Sequence, residues 1–360
     1  MPETMLWEMA PHTLAKHKIL RSYLGAWFPI MNRESRVVYL DGFAGPGKYT
    51  GGEPGSPIIA LDTAKRHQAR LSEELVFLFI EQRLDRADHL TKEIELLNCP
   101  ANFKREVRCG DFEPTLTKLL DEIDRTQRSL APTFAMIDPF GFEGIPLTLM
   151  KRLLANPKCE VFVTLMVSFM NRFLVHPSDA VRAHIRAVFG GDEPFAVLNS
   201  AGNRVAQLAE IYRKKLRGIV RFVRSFELRD QQNKVVYYLF FASDNAVGHL
   251  KMKQAMWTVD PLGEFGFSDA TDPNQKIFYA RSFEDELKAD LLRRFEKVAG
   301  VRIEAIERYV ADATAFLPTQ IRKVLKVLES EGRVRVADTK ADGKQRKTGT
   351  YPTGTILSFL

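Results

Sequence analysis

The chain has 360 residues, and its 52 Lys and Arg against 45 Asp and Glu leave a formal net charge of +7. A hydrophobic share of 45% and a charged share of 27% exclude wholesale disorder, collagen and coiled coil. The length indicates two or three domains, and the basic balance permits a nucleic acid as partner without establishing one.

Signals for export or membrane insertion are missing from the sequence. No apolar run reaches about 18 residues, so no transmembrane helix is expected, and no basic patch precedes an apolar run at the N-terminus. The three cysteines (Cys99, Cys109 and Cys159) lack the spacing of a zinc site or a disulfide framework. We therefore expect a cytoplasmic protein without a metal.

The first predicted element is a helix over about residues 13–28, which Pro29 should end. Short apolar runs separated by helical patterns follow, and uninterrupted apolar strands indicate a parallel sheet covered on both faces. Strands are predicted at Val37–Leu40, Val76–Ile80, Phe103–Val107, Phe134–Ile137, Val161–Val167, Val220–Leu228 and Val235–Ala242, the last two joined by a hairpin turn. This α/β pattern predicts a doubly wound, Rossmann-like sheet of seven strands.

The rest of the chain indicates an insertion, a linker and a second domain. Residues 172–218 are too long for one crossover helix and predict a helical insertion, and residues 260–282 have a linker composition rich in Gly, Asp and Pro. We predict one domain over residues 1–282 and another over 283–360. The second has three predicted helices followed by a β-hairpin, the order of a winged helix, with Thr319 as N-cap of the third helix.

A glycine-rich turn follows the first strand in Asp41-Gly42-Phe43-Ala44-Gly45-Pro46-Gly47. The carboxyl end of a parallel strand is where nucleotide-like ligands bind, and Gly45 and Gly47 let the backbone approach a ligand closely. The turn lacks the dinucleotide fingerprint and the Gly-Lys-Ser/Thr of a phosphate-binding loop. A plain turn between strand and helix stays an alternative.

Three more acidic residues follow strand ends in register with Asp41. Glu81 follows the second strand, Asp111 precedes Phe112 after the third, and Asp138 opens Asp138-Pro139-Phe140-Gly141 after the fourth. A single acid after a strand usually caps a helix or lies in a solvated turn. Four along one sheet edge indicate a ligand site, in which Glu81 can accept two ribose hydroxyl protons.

These motifs resemble those of known enzymes. Asp41-x-Phe43-Ala44-Gly45-x-Gly47 looks like motif I of class I S-adenosylmethionine-dependent methyltransferases. Asp138-Pro139-Phe140-Gly141 resembles the motif of enzymes that methylate exocyclic base nitrogens, tRNA guanine-N2 dimethyltransferases in particular. Over nearly its whole length the chain is similar to the three-Cys-motif partner family. That likeness is carried by Lys16-His17-x-Ile19-Leu20-x-x-Tyr23-Leu24, Asp41–Tyr49, Gly55-Ser56-Pro57, Ala242-Ser243 and Met252-Lys253-x-x-Met256-Trp257.

The resemblance implies S-adenosylmethionine as cofactor and a role for each matched residue. Phe43, Ala44, Gly45 and Gly47 belong to the cofactor loop, with the two glycines beside the methionine moiety. The same resemblance implies that Asp41 orients the cofactor amino group, that Glu81 holds the ribose, and that Asp111 with Phe112 holds the adenine. It also implies that Asp138 and the Pro139 carbonyl accept hydrogens from a target amine while Phe140 stacks on the target base.

The resemblance also implies a function and its rivals. We expect a methyltransferase acting on an exocyclic amine of a base in DNA or RNA. The alternative is a cofactor-binding accessory protein that brings a radical-type three-cysteine partner to nucleic acid. Methylation of a small molecule or a protein is a third reading. Gly141 after Phe140 departs from the usual motif and weakens an adenine assignment.

Basic residues concentrate near the C-terminus. Residues 320–360 hold nine Lys and Arg against four Asp and Glu, so most of the surplus charge lies on the third helix and the hairpin. A recognition helix and a basic wing on phosphates are one arrangement for binding DNA. We predict nucleic-acid contacts from Arg322, Lys323, Lys326, Lys344, Arg346 and Lys347. A winged helix used for protein contacts is the alternative.

Four other polar residues have two readings each. Ser56 fits the N-cap of the second helix with Pro57 at its first position, although the preceding Lys48–Gly55 turn also suits a lid or substrate contact. His17 suits a solvated helix face or a place over the cofactor. Asn171 and Arg172, after the fifth strand, suit a helix cap or a phosphate contact.

Overall fold

The structure is a computed structural model, and it describes residues 4–69, 71–141, 144–260, 266–269, 283–338 and 345–360. The chain divides into two compact units, Met1–Val259 with Gly266–Asp272 and Asp260–Phe265 with Pro273–Leu360. The domain boundary predicted at residue 282 lies outside the described residues, so the assignment of domains to 1–282 and 283–360 stays a prediction.

The first unit alternates strands and helices along the chain. Its helices are Pro11–Met31 (α1), Ser56–Lys65 (α2), Leu84–Glu95 (α3), Phe112–Arg125 (α4), Leu147–Leu154 (α5), Val167–Phe173 (α6), Asp179–Phe189 (α7), Glu193–Ala196 (α8), Arg204–Arg217 (α9) and Ala246–Trp257 (α10). Its strands are Arg36–Asp41 (β1), Glu74–Glu81 (β2), Phe103–Cys109 (β3), Thr133–Ile137 (β4), Cys159–Leu165 (β5), Phe222–Arg229 (β6), Val235–Ser243 (β7) and Gly266–Ser268 (β8). Within the described ranges, no helix has both the length and the apolar character to cross a membrane.

The strands form one mostly parallel sheet in the order β3-β2-β1-β4-β5-β7-β6-β8. β1 to β5 run parallel, and β7 runs antiparallel to both β5 and β6. The α/β fold is therefore as predicted, but the predicted count of seven strands is wrong. The eighth strand, β8, lies within the predicted linker 260–282 and pairs in parallel with β6. Three residues are too few to show a strand period in the sequence.

Burial follows the position of each strand in the sheet. β4 and β5 are buried at every residue, as a strand covered on both faces should be, whereas β3 at the edge exposes most of its residues. β5 runs from Cys159 to Leu165 and α6 begins at Val167, so the predicted strand Val161–Val167 has the right length but begins and ends two residues too late. Residues 172–218, predicted as a helical insertion, contain α7, α8 and α9.

Helix α1 continues through Pro29 to Met31, contrary to the prediction that Pro29 ends it. Proline removes the backbone N–H that would bond to the carbonyl of Gly25, four residues earlier. A ring nitrogen of His67 lies 2.9 Å from that carbonyl oxygen and takes the place of the missing donor. A contact from His67, 42 residues after Gly25, thus satisfies the carbonyl that Pro29 leaves without its helical donor, and α1 continues to Met31.

The second unit combines three helices with a small antiparallel sheet. The helices are Phe283–Phe295 (α11), Ile303–Ala313 (α12) and Ile321–Ser330 (α13), and the strands are Val301–Arg302 (β9), Val334–Val336 (β10) and Ile356–Phe359 (β11), in the order β10-β11-β9. The sequence did not predict β9. Thr319 is not an N-cap, because it lies in a 3₁₀ turn over Pro318–Gln320, where the Gln320 side chain accepts the N–H of Leu317 at 2.7 Å.

A buried polar cluster joins α1, β5, β7 and α10. The Glu160 carboxylate accepts hydrogen bonds from the hydroxyls of Tyr23 and Ser243, and burial raises its pKa. Gly248 of α10 faces this cluster. A Cβ at Gly248 would overlap Glu160 Oε1 and lie 3.2 Å from the Tyr23 hydroxyl, so the helix approaches the sheet this closely only with glycine there.

We expect Gly248→Ala to lower the free energy of unfolding by about 1–3 kcal/mol, because the added methyl has no room beside Glu160. Gly25→Ala is the matched control, since nothing lies within 4 Å of a Cβ built at that helical glycine. Its alanine should leave stability unchanged or raise it by up to about 1 kcal/mol. Urea unfolding of both variants measures the difference, and equal midpoints would contradict the packing argument.

Candidate functional site

The glycine loop after β1 is fastened to the end of β2. Gly45 and Gly47 have φ values of +64° and +85°, a left-handed backbone that favours glycine. The Gly45 N–H donates to Glu81 Oε2 at 2.9 Å, and the Ala44 N–H donates to the carbonyl of Ile80 at 2.9 Å. The structure thus brings together the loop and the carboxylate that the sequence predicted as parts of one site.

Glu81 is buried, and backbone groups fix both of its carboxylate oxygens. Oε2 accepts from Gly45, and Oε1 accepts from the N–H of Arg83 at 2.9 Å. A carboxylate oxygen has two lone pairs, so each one retains acceptor capacity after these bonds. Glu81 therefore presents a preoriented pair of acceptors to a ligand.

A cavity of about 200 Å³ opens at the carboxyl ends of the strands next to Glu81. Five predicted site residues line it: Phe43, Glu81, Asp111, Phe112 and Phe140. Seven other lining residues were not predicted as site residues, namely Gly42, Gln82, Gly110, Glu113, Gly144, Ile145 and His184. Gln82 and Gly110 adjoin predicted residues, whereas His184 comes from the insertion helix α7 and has no local sequence signal.

One wall of the cavity is aromatic. Phe112 is buried, and its ring centroid lies 5.4 Å from that of Phe43. A Cβ at Gly42 would come within 2.5 Å of the Phe112 ring, so this wall packs directly on the backbone of the glycine loop. Asp111, at the mouth, accepts a hydrogen bond from the Gln82 side-chain amide at 2.6 Å. An aromatic wall beside the acidic side chain of Asp111 suits the binding of a flat ring with polar edges.

Asp41, Ala44, Gly45 and Gly47 are buried and do not line this cavity. The Asp41 carboxylate accepts from the Tyr39 hydroxyl at 3.2 Å and from the Phe43 N–H at 3.4 Å. The Ser56 side chain also bonds to Asp41, and Gly55 occupies the N-cap position of α2, so the predicted capping role of Ser56 is wrong. Burial raises the pKa of Asp41 to about 6 despite these bonds.

Asp138 lies at the end of β4, half-buried, between two donors. The Thr164 hydroxyl on β5 donates to Oδ1, and the Lys16 ammonium on α1 pairs with Oδ2. Pro139 is buried, and Phe140 extends to the cavity wall. Of this motif, only Phe140 lines the cavity, so the cavity and the Asp138 carboxylate form two ends of one candidate site.

An aromatic cluster lies over the glycine loop at the Asp138 end. The Trp7 ring centroid is 5.5 Å from that of Phe140 and 5.8 Å from that of Tyr49, both edge to face. The Trp7 carbonyl accepts the N–H of Thr50 at 3.0 Å, and the guanidinium of Arg86 lies 4.8 Å from the Trp7 ring. Nothing in the local sequence around Trp7 indicates this position.

His17 is buried beside this cluster, so the reading of a solvated helix face is wrong. Its ring centroid lies 5.7 Å from that of Tyr49. Burial and the neighbouring Lys16 charge lower the pKa of His17 to about 3, so the imidazole is neutral near pH 7. Asn171 and Arg172 are on α6 and do not line the cavity.

The second unit has a basic groove of about 570 Å³ between α13 and the segment before β11. Arg322, Lys326, Lys347 and Tyr351 are among its lining residues. Lys323 instead pairs with Glu284 at 3.4 Å, outside the groove lining. Lys344 lies outside the described residues.

Arg346 is not a phosphate contact in this structure, which corrects the prediction. Its side chain is only 3% exposed, and its guanidinium pairs with Glu329 and donates to the carbonyls of Ala337 and Thr350 at 3.1 Å and 3.0 Å. The sequence showed a cation in a basic segment but not the internal acceptors that surround it.

Comparisons with known proteins found structural similarity only. No family model matches the sequence, and no curated protein matches it. Among solved structures, the chain is similar to an O-methyltransferase from Bacillus cereus in complex with SAH, at 14% identity and a TM-score of 0.36, covering 66% of this chain and 82% of that one. It is also similar to a putative O-methyltransferase from Klebsiella pneumoniae, at 9% identity and a TM-score of 0.35, covering 66% of this chain and 92% of that one. A geranyl diphosphate methyltransferase in complex with GPP and sinefungin shows 10% identity and a TM-score of 0.26, covering 61% of this chain and 78% of that one.

The raised pKa of Asp41 predicts a pH dependence of stability. A carboxyl whose pKa is higher in the folded state than in the unfolded state costs stability when it ionises, so stability falls as the pH rises from about 4 through about 6. We expect the free energy of unfolding of the wild type, minus that of Asp41→Asn, to fall by up to about 3 kcal/mol over that range.

Urea titrations of both proteins at several pH values measure this difference. The subtraction removes the contribution of Glu160, whose pKa burial also raises. A difference that stays constant from pH 4 to pH 7 would show that Asp41 titrates in its ordinary range.

Proposed function

We propose that the chain is an S-adenosylmethionine-dependent methyltransferase acting on an exocyclic amine of a nucleic-acid base. One observation carries the proposal. The Gly45–Glu81 hydrogen bond places a glycine loop and a preoriented carboxylate at the same cavity, with Phe112 as one wall and Phe140 as another. The carboxyl edge of a parallel sheet is where α/β enzymes bind nucleotide-like ligands.

The residues present fit the adenosine part of this cofactor. The two Glu81 oxygens, each with a lone pair left after its backbone bond, match the two hydroxyls of a ribose. Phe43 and Phe112 would contact the adenine ring, and Asp111 would accept from its amino group. Gly45 and Gly47 would pass beside the methionine moiety.

Asp138 and its neighbours would hold the methyl acceptor. When bound, the cofactor supplies an electrophilic methyl group on a sulfonium, and transfer then depends chiefly on alignment and on handling of charge. The Asp138 carboxylate and the Pro139 carbonyl would accept N–H bonds from the target amine and direct its lone pair. Phe140 would stack on the base, which must be flipped out of a duplex to reach this site.

The second unit supports a nucleic acid as the substrate class. Its order of three helices with strands after the third is the order of a winged helix, in which α13 corresponds to the recognition helix. Arg322, Lys326 and Lys347 bring three cations to one groove, which suits a phosphate backbone. We propose that this unit binds DNA or RNA for the methyltransferase unit.

Two substitutions should separate cofactor binding from catalysis. We expect Glu81→Ala to weaken SAH binding about tenfold to a hundredfold, because it removes charged hydrogen bonds to the loop and the ribose. Asp138→Asn should leave SAH affinity within about threefold and abolish transfer of labelled methyl groups to DNA or RNA. Calorimetry and a filter assay on total nucleic acid measure the two properties, with exposed Glu95→Ala as control.

The outcomes distinguish the rival functions. A wild type that does not bind SAH contradicts the proposal. Cofactor binding with no transfer to any nucleic acid, but with chemistry that depends on a three-cysteine radical-type partner, supports the accessory role. Transfer to a small molecule or a protein keeps the enzyme class and overturns the substrate.

The basic groove predicts a local salt effect. We expect Lys326→Ala and Lys347→Ala each to weaken binding of the full chain to a duplex oligonucleotide, and each to reduce the slope of log affinity against log salt by about 1. Arg308→Ala is the control, because Arg308 is exposed on α12 and does not line the groove. Unchanged slopes in both Lys variants would show that this groove does not contact phosphates.

A further inference from the structure

Lys16 is a buried cation at the ligand-binding edge of the sheet. Its side chain is 6% exposed, its Nζ pairs with Asp138 Oδ2, and the same Nζ lies 5.5 Å from the centroid of the Tyr237 ring. The buried neighbours Ala15, Ile19 and Leu20 hold this part of α1 against the core. A fold does not need such a pair for stability, because apolar replacements of buried ion pairs are often neutral or stabilising.

The two donors on Asp138 leave it little freedom. Lys16 engages Oδ2 and the Thr164 hydroxyl engages Oδ1, so both carboxylate oxygens are anchored from different elements, α1 and β5. The orientation of Asp138 therefore depends on Lys16.

We propose that Lys16 is a positioning residue that orients Asp138 for methyl transfer, an inference that rests on the proposed function. In the transfer step the target nitrogen forms the N–C bond with its lone pair. The electron pair of the broken C–S bond stays on sulfur, and an N–H proton then leaves to solvent. Asp138 accepts an N–H bond throughout and offsets the positive charge that develops on nitrogen, which requires an unprotonated carboxylate.

Several titratable groups face Asp138. They are Lys16 and His17 from α1, Tyr39 and Asp41 from β1, Tyr49 from the turn after the glycine loop and Tyr237 from β7. His17 is neutral above about pH 3, and the three tyrosines have pKa values raised by burial. Burial raises the pKa of Asp41 to about 6, so the variants are compared at one pH well above that value.

The experiment measures kcat, KM for nucleic acid and SAH affinity for the wild type, Lys16→Met, Lys16→Arg and Lys18→Met. We expect Lys16→Met to keep SAH affinity and the KM for nucleic acid within about threefold and to lower kcat at least about tenfold, because a misplaced Asp138 no longer aligns the target amine. Lys16→Arg keeps a cationic donor and should recover most of the lost kcat. Lys18→Met is the control, because Lys18 is exposed on the same helix.

Lys16→Gln covers the case in which the methionine variant does not fold. It keeps an N–H donor without the charge, so only part of kcat should be lost while KM stays within about threefold of the wild type. An active wild type whose kcat is matched by Lys16→Met and Lys16→Gln overturns this inference alone. A wild type that transfers no methyl group overturns it together with the proposed enzyme, and the SAH measurement shows whether cofactor binding survives.

Discussion

The parallel pairing of β1 with both β2 and β4 is the constraint on which the candidate site depends. Asp41, the last residue of β1, is in register with Phe79 on one side and Met136 on the other. Glu81 and Asp138 lie two residues beyond those partners, so the register delivers three carboxylates to adjacent strand ends. A shift by one residue would turn these side chains to the other face of the sheet.

Three acids end neighbouring strands, and each one has different partners. Glu81 accepts hydrogen bonds from two backbone N–H groups, whereas Asp138 accepts from the Lys16 ammonium and the Thr164 hydroxyl. Asp41 has no paired cation among its described contacts, and burial raises its pKa to about 6. Lys16 therefore offsets the charge of the carboxylate nearest the proposed acceptor.

Much of this architecture could be predicted because its signals are local. Short runs rich in apolar and strand-forming residues predicted the seven longer strands, and the glycine loop and the acids after strand ends predicted Phe43, Glu81, Asp111 and Phe112, which line one cavity. The missed features depend on contacts between distant parts of the chain. Trp7 and His184 reach the site from the N-terminal segment and the insertion, and β8 is defined only by its pairing with β6.

Arg346 shows why residue type alone misjudges a basic surface. Its guanidinium is used within the second unit, where it holds Glu329 and the carbonyls of Ala337 and Thr350. The segment it fastens includes Lys347, which lines the basic groove with Lys326. Arg346 therefore contributes to the groove by ordering the backbone that presents Lys347. The net charge of +7 for the whole chain is thus a poor guide to nucleic-acid binding, because a cation contacts a phosphate only where the fold leaves that cation facing the groove.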